Sequence, residues 1–440
     1  MPTNRINIES ALFFLLVLSI FPTNISYAES QFTLKPSMQL FLTATGQSIA
    51  ESKINPKNET LKIDDRIVSI DLRPSLKLDE GQFQLIARPQ LRSEVFSRTI
   101  DDKRQTEHSR SYSKWLEAYG NWNASDKVLV SYGIQNYQWG AAETVNPSNR
   151  LNHETIDGKG VTQATQGKNL MRLNVTWLKN LSSVFIGETK PVEDSPIFRA
   201  EEEFETKSVM KHEFSWNSGA DYLGLVYGSG EVSLPWVGEY FNISLFDGLT
   251  LYGDASHQKG SAAWYPVEEN SPLPTQKVVN LKQSKKDETK IYTFGVVGMR
   301  YSFEGGSDIR WEYMINNAGW TKEENDLGTR AIDSSIQLQL PNIKQNATRW
   351  AKPGLEYRGQ KYVMISVRAP DFSNVKDLVI YLRALRSLQD LSTSGYSSVE
   401  YSFGDASTVF ATFLGTKGQD DQELRGYVAA SGSIGLRQDF

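Results

Sequence analysis

The sequence contains no cysteine and only four histidines among its 440 residues. Without cysteine the chain has no disulfides, no thiolate metal sites and no cysteine nucleophile. The histidines are scattered, without the close spacing of a metal site, at His108, His153, His212 and His257. We therefore expect solvated histidines, no bound metal and no cofactor.

Long apolar runs are also missing after the N-terminal segment. No later stretch approaches the ~18–20 apolar residues of a membrane-spanning helix, so any membrane crossing must use strands. The net charge of −5 leaves no basic excess, which argues against a nucleic-acid partner. No Gly-x-Ser-x-Gly elbow occurs, and residues 160–168 have the wrong spacing for a phosphate-binding loop. These absences predict that the protein is not an enzyme.

The N-terminal segment has the features of a secretory signal. Arg5 supplies its positive end, residues 11–21 form an apolar run, and Ser26-Tyr27-Ala28 is a small-x-small cleavage site. We expect cleavage after Ala28, which gives a signal peptide at 1–28 and a single mature domain at 29–440. An uncleaved anchor is the alternative. Either way the sequence predicts export to a bacterial cell envelope.

A hairpin over residues 67–92 has the clearest pattern in the mature chain. In both of its strands apolar side chains alternate with polar or charged ones, the period typical of β-strands with two different faces. The apolar positions are Val68, Ile70, Leu72, Leu76, Leu78, Phe83, Leu85, Ala87 and Leu91. One face of nearly pure hydrocarbon opposite a charged face favours a wall between lipid and water over a soluble sandwich.

The same alternation recurs along the chain and predicts about 18 strands. Short turns strictly alternate with longer loops, as in outer-membrane barrels with short periplasmic turns and long extracellular loops. Residues 371–391 also fit helical spacing, but a helix there would break this alternation, so we predict a strand at 377–386. The predicted fold class is all-β: a transmembrane, antiparallel, up-and-down barrel in the outer membrane of a Gram-negative bacterium.

The chain ends in an amphipathic strand, predicted over 424–440. Leu436 and Ile434 share the face of the terminal Phe440, while Arg437 and Ser433 lie on the other face. Such a strand resembles the signal that the barrel-assembly machinery of outer membranes recognises. The resemblance implies this machinery as a partner, acting through Phe440.

Residues 128–152 carry a narrower resemblance. A strand containing Gly133-Ile134-Gln135 leads to Trp139-Gly140, and Asn146-Pro147 and Leu151-Asn152 follow. This arrangement looks like the barrels related to alginate-export porins. The resemblance implies a monomeric, roughly 18-stranded passive channel, and it does not imply that the solute is alginate.

The lumen is where we expect function, because barrels of ~16–18 strands enclose water and the polar strand faces line it. The predicted inward-facing bases are Arg73, Lys77, Arg88, Arg92, Arg172, Arg310, Arg368, Arg383 and Arg425, and the acids are Asp71, Glu117, Asp308, Glu312 and Glu400. Rings of basic residues attract anions, so the excess of bases predicts small or oligomeric anionic solutes. The alternative is that each arginine pairs with a neighbouring acid and only stiffens the wall.

Two other functions are compatible with the sequence. A plugged surface barrel could bind a partner or hydrolyse lipid through its external loops, and a soluble exported β-protein could bind carbohydrate. Tryptophans near strand ends are typical of a girdle at the lipid interface, although Trp236 or Trp264 could instead stack on sugar. Acid clusters at 201–203 and 420–421 could hold Ca²⁺ or bridge lipopolysaccharide, but solvated loop charge is the simpler interpretation. Outer-membrane lipid and lipopolysaccharide are the expected surroundings.

Overall fold

The computed structural model describes residues 32–51, 55–59, 61–105, 108–151, 160–191, 206–231, 233–270, 277–337, 349–350, 353–419, 422–425 and 428–440. The predicted signal peptide and the acid clusters at 201–203 and 420–421 lie outside these residues.

One closed antiparallel sheet of 18 strands forms the body of the protein. Each strand pairs with its neighbours in sequence, and the last strand pairs with the first. The strands are β1 (Phe32–Ile49), β2 (Arg66–Glu80), β3 (Phe83–Ser97), β4 (His108–Ser125), β5 (Val128–Gln135), β6 (Lys168–Leu178), β7 (Leu181–Lys190), β8 (Lys207–Trp216), β9 (Asp221–Gly230), β10 (Trp236–Phe246), β11 (Leu249–Lys259), β12 (Ile291–Ser302), β13 (Asp308–Asn316), β14 (Lys361–Ala369), β15 (Leu378–Ser387), β16 (Thr393–Phe403), β17 (Ser407–Lys417) and β18 (Val428–Asp439). The predicted fold class, an antiparallel barrel of about 18 strands, is confirmed.

The stretch that also fitted helical spacing forms β15, as predicted. Its Arg383 is paired with Ser366 on one side and with Tyr396 on the other. Leu382 faces outward and is 50% exposed, while Arg383 and Leu385 are buried on the inner side. The backbone N–H and C=O groups of β15 are thus hydrogen-bonded to two neighbouring strands. This pairing stabilises a strand where the local sequence also favours a helix.

The outer face of the barrel is apolar along most strands. On β2, Val68 and Ile70 are 58% and 53% exposed, whereas the intervening Ser69 and Asp71 are buried. Successive strand side chains point to opposite faces, so a period of two in the sequence becomes an apolar outside and a polar inside. Such an outer surface is suited to hydrocarbon rather than to water.

Connections at the two ends of the barrel differ in length. The short-turn end includes the turns Gly81-Gln82 and Asp247-Gly248, and the long-loop end includes the connections 136–167 and 317–360. Phe440 lies at the short-turn end. Its N–H donates to the Met38 carbonyl (2.8 Å), and its carbonyl accepts from the Met38 N–H (3.1 Å), which extends the β1–β18 pairing to the last residue.

Several of the long loops contain secondary structure of their own. A small antiparallel sheet pairs Tyr265–Asn270 with Lys277–Lys282, and helix α1 spans Lys322–Gln337. The alternation typical of strands is missing over most of 317–358, so the sequence indicates a loop there. Thr321 and Glu324 form a capping box, with N–H to side-chain distances of 2.8 and 3.2 Å, and this Thr-x-x-Glu pattern was the signal for the helix. No helix among the described residues is both long and apolar enough to cross a membrane.

A β-bulge changes the predicted faces of β4. Arg88 pairs with Glu117, but the next residue, Pro89, pairs with Trp115, so Leu116 is the extra residue. Simple alternation along β4 would place Leu116 on the face of Ala118; Leu116 is instead buried, and Trp115 faces outward. Proline has no N–H to donate to the ladder, which explains a bulge at this position.

Candidate functional site: the lumen and its internal loop

The connection between β5 and β6 does not remain at the long-loop end. Residues 136–151, here called the internal loop, enter the barrel and bind inward-facing side chains of β11 to β15. The sequence marked this segment by its resemblance to a porin motif but did not predict that it enters the lumen. Its contacts determine which part of the inner wall stays open to water.

Glu312 of β13 is one anchor of the internal loop. Its carboxylate is 1% exposed and accepts hydrogen bonds from the backbone N–H groups of Glu143 and Thr144, the latter at 2.8 Å. The hydroxyls of Thr144 and Tyr252 also donate to it, that of Tyr252 at 2.8 Å. A buried carboxylate is stable only when such donors replace its water, so Glu312 holds the loop against the wall.

Asp254 of β11 is the second anchor. The N–H of Ser148 donates to it at 2.6 Å and the Ser148 hydroxyl at 2.9 Å. Gly140 sits beside this contact with φ at +89°, and a Cβ there would lie 2.2 Å from Asn146 Oδ1 and 2.5 Å from Asp254 Oδ2. Only glycine suits both this backbone conformation and this close approach.

The side chain of Glu143 extends from the internal loop to β13, β14 and β15. It accepts a hydrogen bond from Ser366 (2.8 Å) and one from Tyr381, and it lies 3.5 Å from Arg310. The loop therefore carries an acid to a basic side chain of the wall and neutralises part of its charge.

Apolar side chains fill the space between the internal loop and the wall. Trp139 and Leu151 pack in a cluster with Leu170, Val184, Ile186, Val209, Val226, Trp236 and Tyr240. Ala142 and Val145 pack in a second cluster with Tyr252, Phe294, Val296, Met314, Tyr357, Tyr362, Met364, Leu385 and Leu424. Trp139 and Trp236 are therefore buried inside the barrel, which corrects the expectation of a lipid girdle or sugar stacking at these two residues. The wall beneath the loop is a packed core rather than a water-lined surface.

The same connection touches the opposite part of the wall as it returns toward β6. The carbonyl of Thr162 accepts a hydrogen bond from Arg73 of β2, and the N–H of Gly167 donates to the Leu116 carbonyl of β4 at 2.9 Å. The described parts of this connection thus narrow the lumen from two sides.

The predicted pore residues on strands all have inward-facing side chains by the observed register. Several arginines lie beside acids: Arg73 is 2.7 Å from Asp71, Arg92 is 2.6 Å from Glu94, Arg310 is 3.2 Å from Asp308, and Arg88 pairs with Glu117. Arg172 lies 4.3 Å from the Tyr137 ring and Arg383 5.0 Å from the Tyr396 ring. The strand predicted from residue 424 begins at Val428, so Arg425 lies in the preceding turn and donates to Thr416 at 3.3 Å.

Arg368 differs from these residues. It is an exposed residue on the inner face of β14 and has no hydrogen bond or ion pair with the described residues. Glu400 of β16 also faces the lumen without such a partner among the described residues. These two side chains carry charges of opposite sign that are free to act on a passing solute.

Sequence reasoning left further inward-facing bases out of the predicted pore lining, among them Lys114, Lys211, Arg300 and Arg437. The Leu116 bulge reversed the apparent face of Lys114. Lys211 and Arg300 lie on strands whose inner faces are apolar under the internal loop, so the usual contrast between the two faces is weak there. Arg437, in contrast, lies in the clear alternation of β18 and had a plain sequence signal.

At the long-loop end, Asp390 and Glu423 join three loops. Asp390 accepts hydrogen bonds from the Ser392 hydroxyl (2.6 Å) and the Glu423 N–H (2.9 Å), and Glu423 accepts from the Gly359 N–H (2.8 Å). Burial acts to raise the pKa of Asp390, but these hydrogen bonds outweigh it and hold that pKa below its ordinary value. Burial raises the pKa of Glu423, against the opposing effect of Arg358. The loops at this end are thus tied together by partly buried carboxylates.

No protein-family model and no curated protein sequence matches the chain. Solved structures do match it. Acinetobacter baumannii OccAB1 superposes with a TM-score of 0.54 at 12% identity, over 92% of this chain and 96% of that one. Pseudomonas aeruginosa OccK5 (OpdH) gives 0.55 at 10% identity, over 92% and 98%. Both are outer-membrane porins of the Occ/OprD group with 18-stranded barrels.

The chain has the same barrel fold as these structures. At such low identity the likeness concerns the fold alone, and the matched structures belong to the Occ/OprD group rather than to the alginate-export porins. The narrower resemblance therefore stays a prediction.

Proposed function

We propose that this protein is an outer-membrane channel through which small or oligomeric anionic solutes diffuse passively, with the internal loop narrowing its lumen. The observation that carries the proposal is the unequal burial of charge inside the barrel. Acids of the inner wall are largely buried, whereas several bases remain open to the lumen.

The buried acids are occupied by structural contacts. Asp71, Glu94, Asp254 and Glu312 are 1–4% exposed, and the internal loop covers the last two. The Arg88 and Lys77 side chains are 52% and 40% exposed, and Arg368 is exposed as well. A solute in the lumen therefore meets more positive than negative charge, which supports a preference for anions.

The same proposal includes the location of the protein in the outer membrane. The apolar outer face supports contact with outer-membrane lipid and, at the long-loop end, with lipopolysaccharide. The exposed ring of Phe440 at the short-turn end supports recognition by the barrel-assembly machinery. We also keep as a proposal the resemblance of residues 128–152 to alginate-export porins, since the whole internal loop lies within these residues.

The proposal is tested by recording refolded protein in a planar bilayer. The recordings measure the single-channel conductance and the reversal potential under a salt gradient. We expect steady open conductance and a reversal potential of the anion-selective sign. A cation-selective value contradicts the anionic preference. A silent bilayer from protein with heat-modifiable gel migration contradicts an open channel, and favours the alternative of a plugged barrel whose external loops bind a ligand. Protein that stays soluble and folded without detergent would instead fit an exported carbohydrate-binding protein.

A further inference from the structure

A cavity of about 180 Å³ lies between the end of the internal loop and the loops at the long-loop end. Its lining includes Arg150, Lys207, Trp236, Phe294, Leu355 and Glu356. A protein cavity of about 150 Å³ can hold benzene, so this one has room for a molecule of similar size. None of the predicted pore residues lines it.

Arg150 is a cation on the lining of this cavity whose hydrogen-bond partners are neutral side chains. It donates to the side chains of Gln258 and Ser256, the latter at 3.0 Å, and both are neutral. No carboxylate among the described residues forms an ion pair with it, although Glu356 acts on it at longer range. Buried cations are usually paired, so the guanidinium group is a site where an anion gains both charge and hydrogen bonds.

Trp236 places a second donor beside Arg150. Its indole nitrogen is buried and has no hydrogen-bond partner among the described residues, and its ring lies 5.6 Å from the Arg150 guanidinium carbon. The ring is held rigidly because it packs on Gly228, where a Cβ would come within 2.0 Å of it. A buried donor without an acceptor is costly, and a ligand oxygen would remove that cost.

The remaining lining residues restrict the charge and the size of a ligand. Lys207 adds a second cation, and among the described lining residues Glu356 carries the one carboxylate. Phe294 and Leu355 contribute apolar surface. The cavity therefore combines a net positive polar side with an apolar side in a volume that suits about six non-hydrogen atoms.

We propose that this cavity binds a small monocarboxylate with a short apolar chain. The guanidinium group of Arg150 and the indole N–H of Trp236 hold the carboxylate, and the chain lies against Phe294 and Leu355. Because Arg150 belongs to the internal loop, the bound anion also stabilises that loop in its position inside the barrel. The site goes beyond the proposed channel and does not depend on conduction.

This proposal is tested by calorimetry, in which butyrate is titrated into the refolded full-length protein in detergent. Butyramide serves as the neutral probe of matched shape. We expect saturable binding of one butyrate and none of butyramide. Trp236→Phe keeps the ring but removes the N–H, and Arg150→Gln removes the charge. Each should weaken butyrate binding about ten-fold or more, as expected for losing a hydrogen bond to a charged group.

Arg368→Gln is the control, because it removes an arginine from the lumen and not from the cavity, and butyrate binding should be unchanged. Absence of saturable binding overturns the proposal, as does equal binding of butyramide or unchanged affinity in Trp236→Phe. Loss of binding in Arg368→Gln would place the ligand in the lumen and also overturns it. If Arg150→Gln does not refold, Trp236→Phe decides alone. A silent bilayer with intact butyrate binding refutes only the proposed channel.

Discussion

Replacing Glu312 by alanine should release the internal loop from the wall and widen the lumen. The carboxylate is buried and accepts hydrogen bonds from two backbone N–H groups of the loop, those of Glu143 and Thr144. The hydroxyls of Thr144 and Tyr252 can rotate to other acceptors after the substitution. The two amides cannot, because their direction is set by the loop backbone.

The magnitude follows from these two amides. A buried N–H that loses its acceptor costs about 1–3 kcal/mol, so the substitution destabilises the docked loop by about 2–6 kcal/mol. Since each 1.4 kcal/mol is roughly tenfold in an equilibrium, the undocked population should rise by a factor from about 30 to on the order of 10⁴. The lower value applies if water enters the space left by the side chain.

Single-channel recording of Glu312→Ala should therefore show a larger or more variable conductance, and the amides of Glu143 and Thr144 should exchange hydrogen faster. The barrel should remain heat-modifiable, because the substitution leaves the backbone ladder of β13 intact. Glu400→Ala is the matched control, since it removes one inward-facing acid that does not contact the loop. If Glu312→Ala conducts and exchanges like wild type, or if Glu400→Ala changes the conductance equally, the anchoring argument is wrong.

Three further predictions concern the same structure. Gly140→Ala should also displace the internal loop and raise conductance, because the new Cβ would lie 2.5 Å from Asp254 in a residue whose φ is +89°. The positive φ alone costs about 1–2 kcal/mol. Gly46→Ala is the control: its Cβ meets nothing within 4 Å, so it should behave like wild type. Arg368→Glu should shift the reversal potential toward cation selectivity, because a unit charge changes the energy of an ion 4 Å away by about 1 kcal/mol in water. Lys179→Glu, in the β6–β7 turn, is the control and should shift the reversal potential less. The pKa of Asp390 is lowered in the folded protein, so its contribution to stability is present above the ordinary aspartate pKa of about 3.9 and is lost as pH falls through the folded-state pKa. Exchange of the Glu423 amide should accelerate in that acidic range, whereas Asp390→Asn should lack this pH dependence.

The alternation of side chains was enough to predict the barrel. Eighteen strands are long enough that a period of two is visible in most of them, and the parity of turns and loops decided β15, where local propensity was ambiguous. The errors fall where that pattern is interrupted. The bulge at Leu116 concealed Lys114, and helix α1 was missed although the capping box of Thr321 and Glu324 marked its start.

Sequence alone thus determined the class of fold and the inward direction of most charged side chains, because both follow from the geometry of a single strand. Only the tertiary structure decided how those charges are used. The internal loop buries Asp254 and Glu312, brings Glu143 to Arg310, and places Arg150 beside Trp236 on the lining of a cavity. These partners are separated by between 86 and 169 residues in sequence, and no local pattern relates them. They meet because the closed barrel confines the loop against its inner wall, where each buried polar group must find a donor or an acceptor.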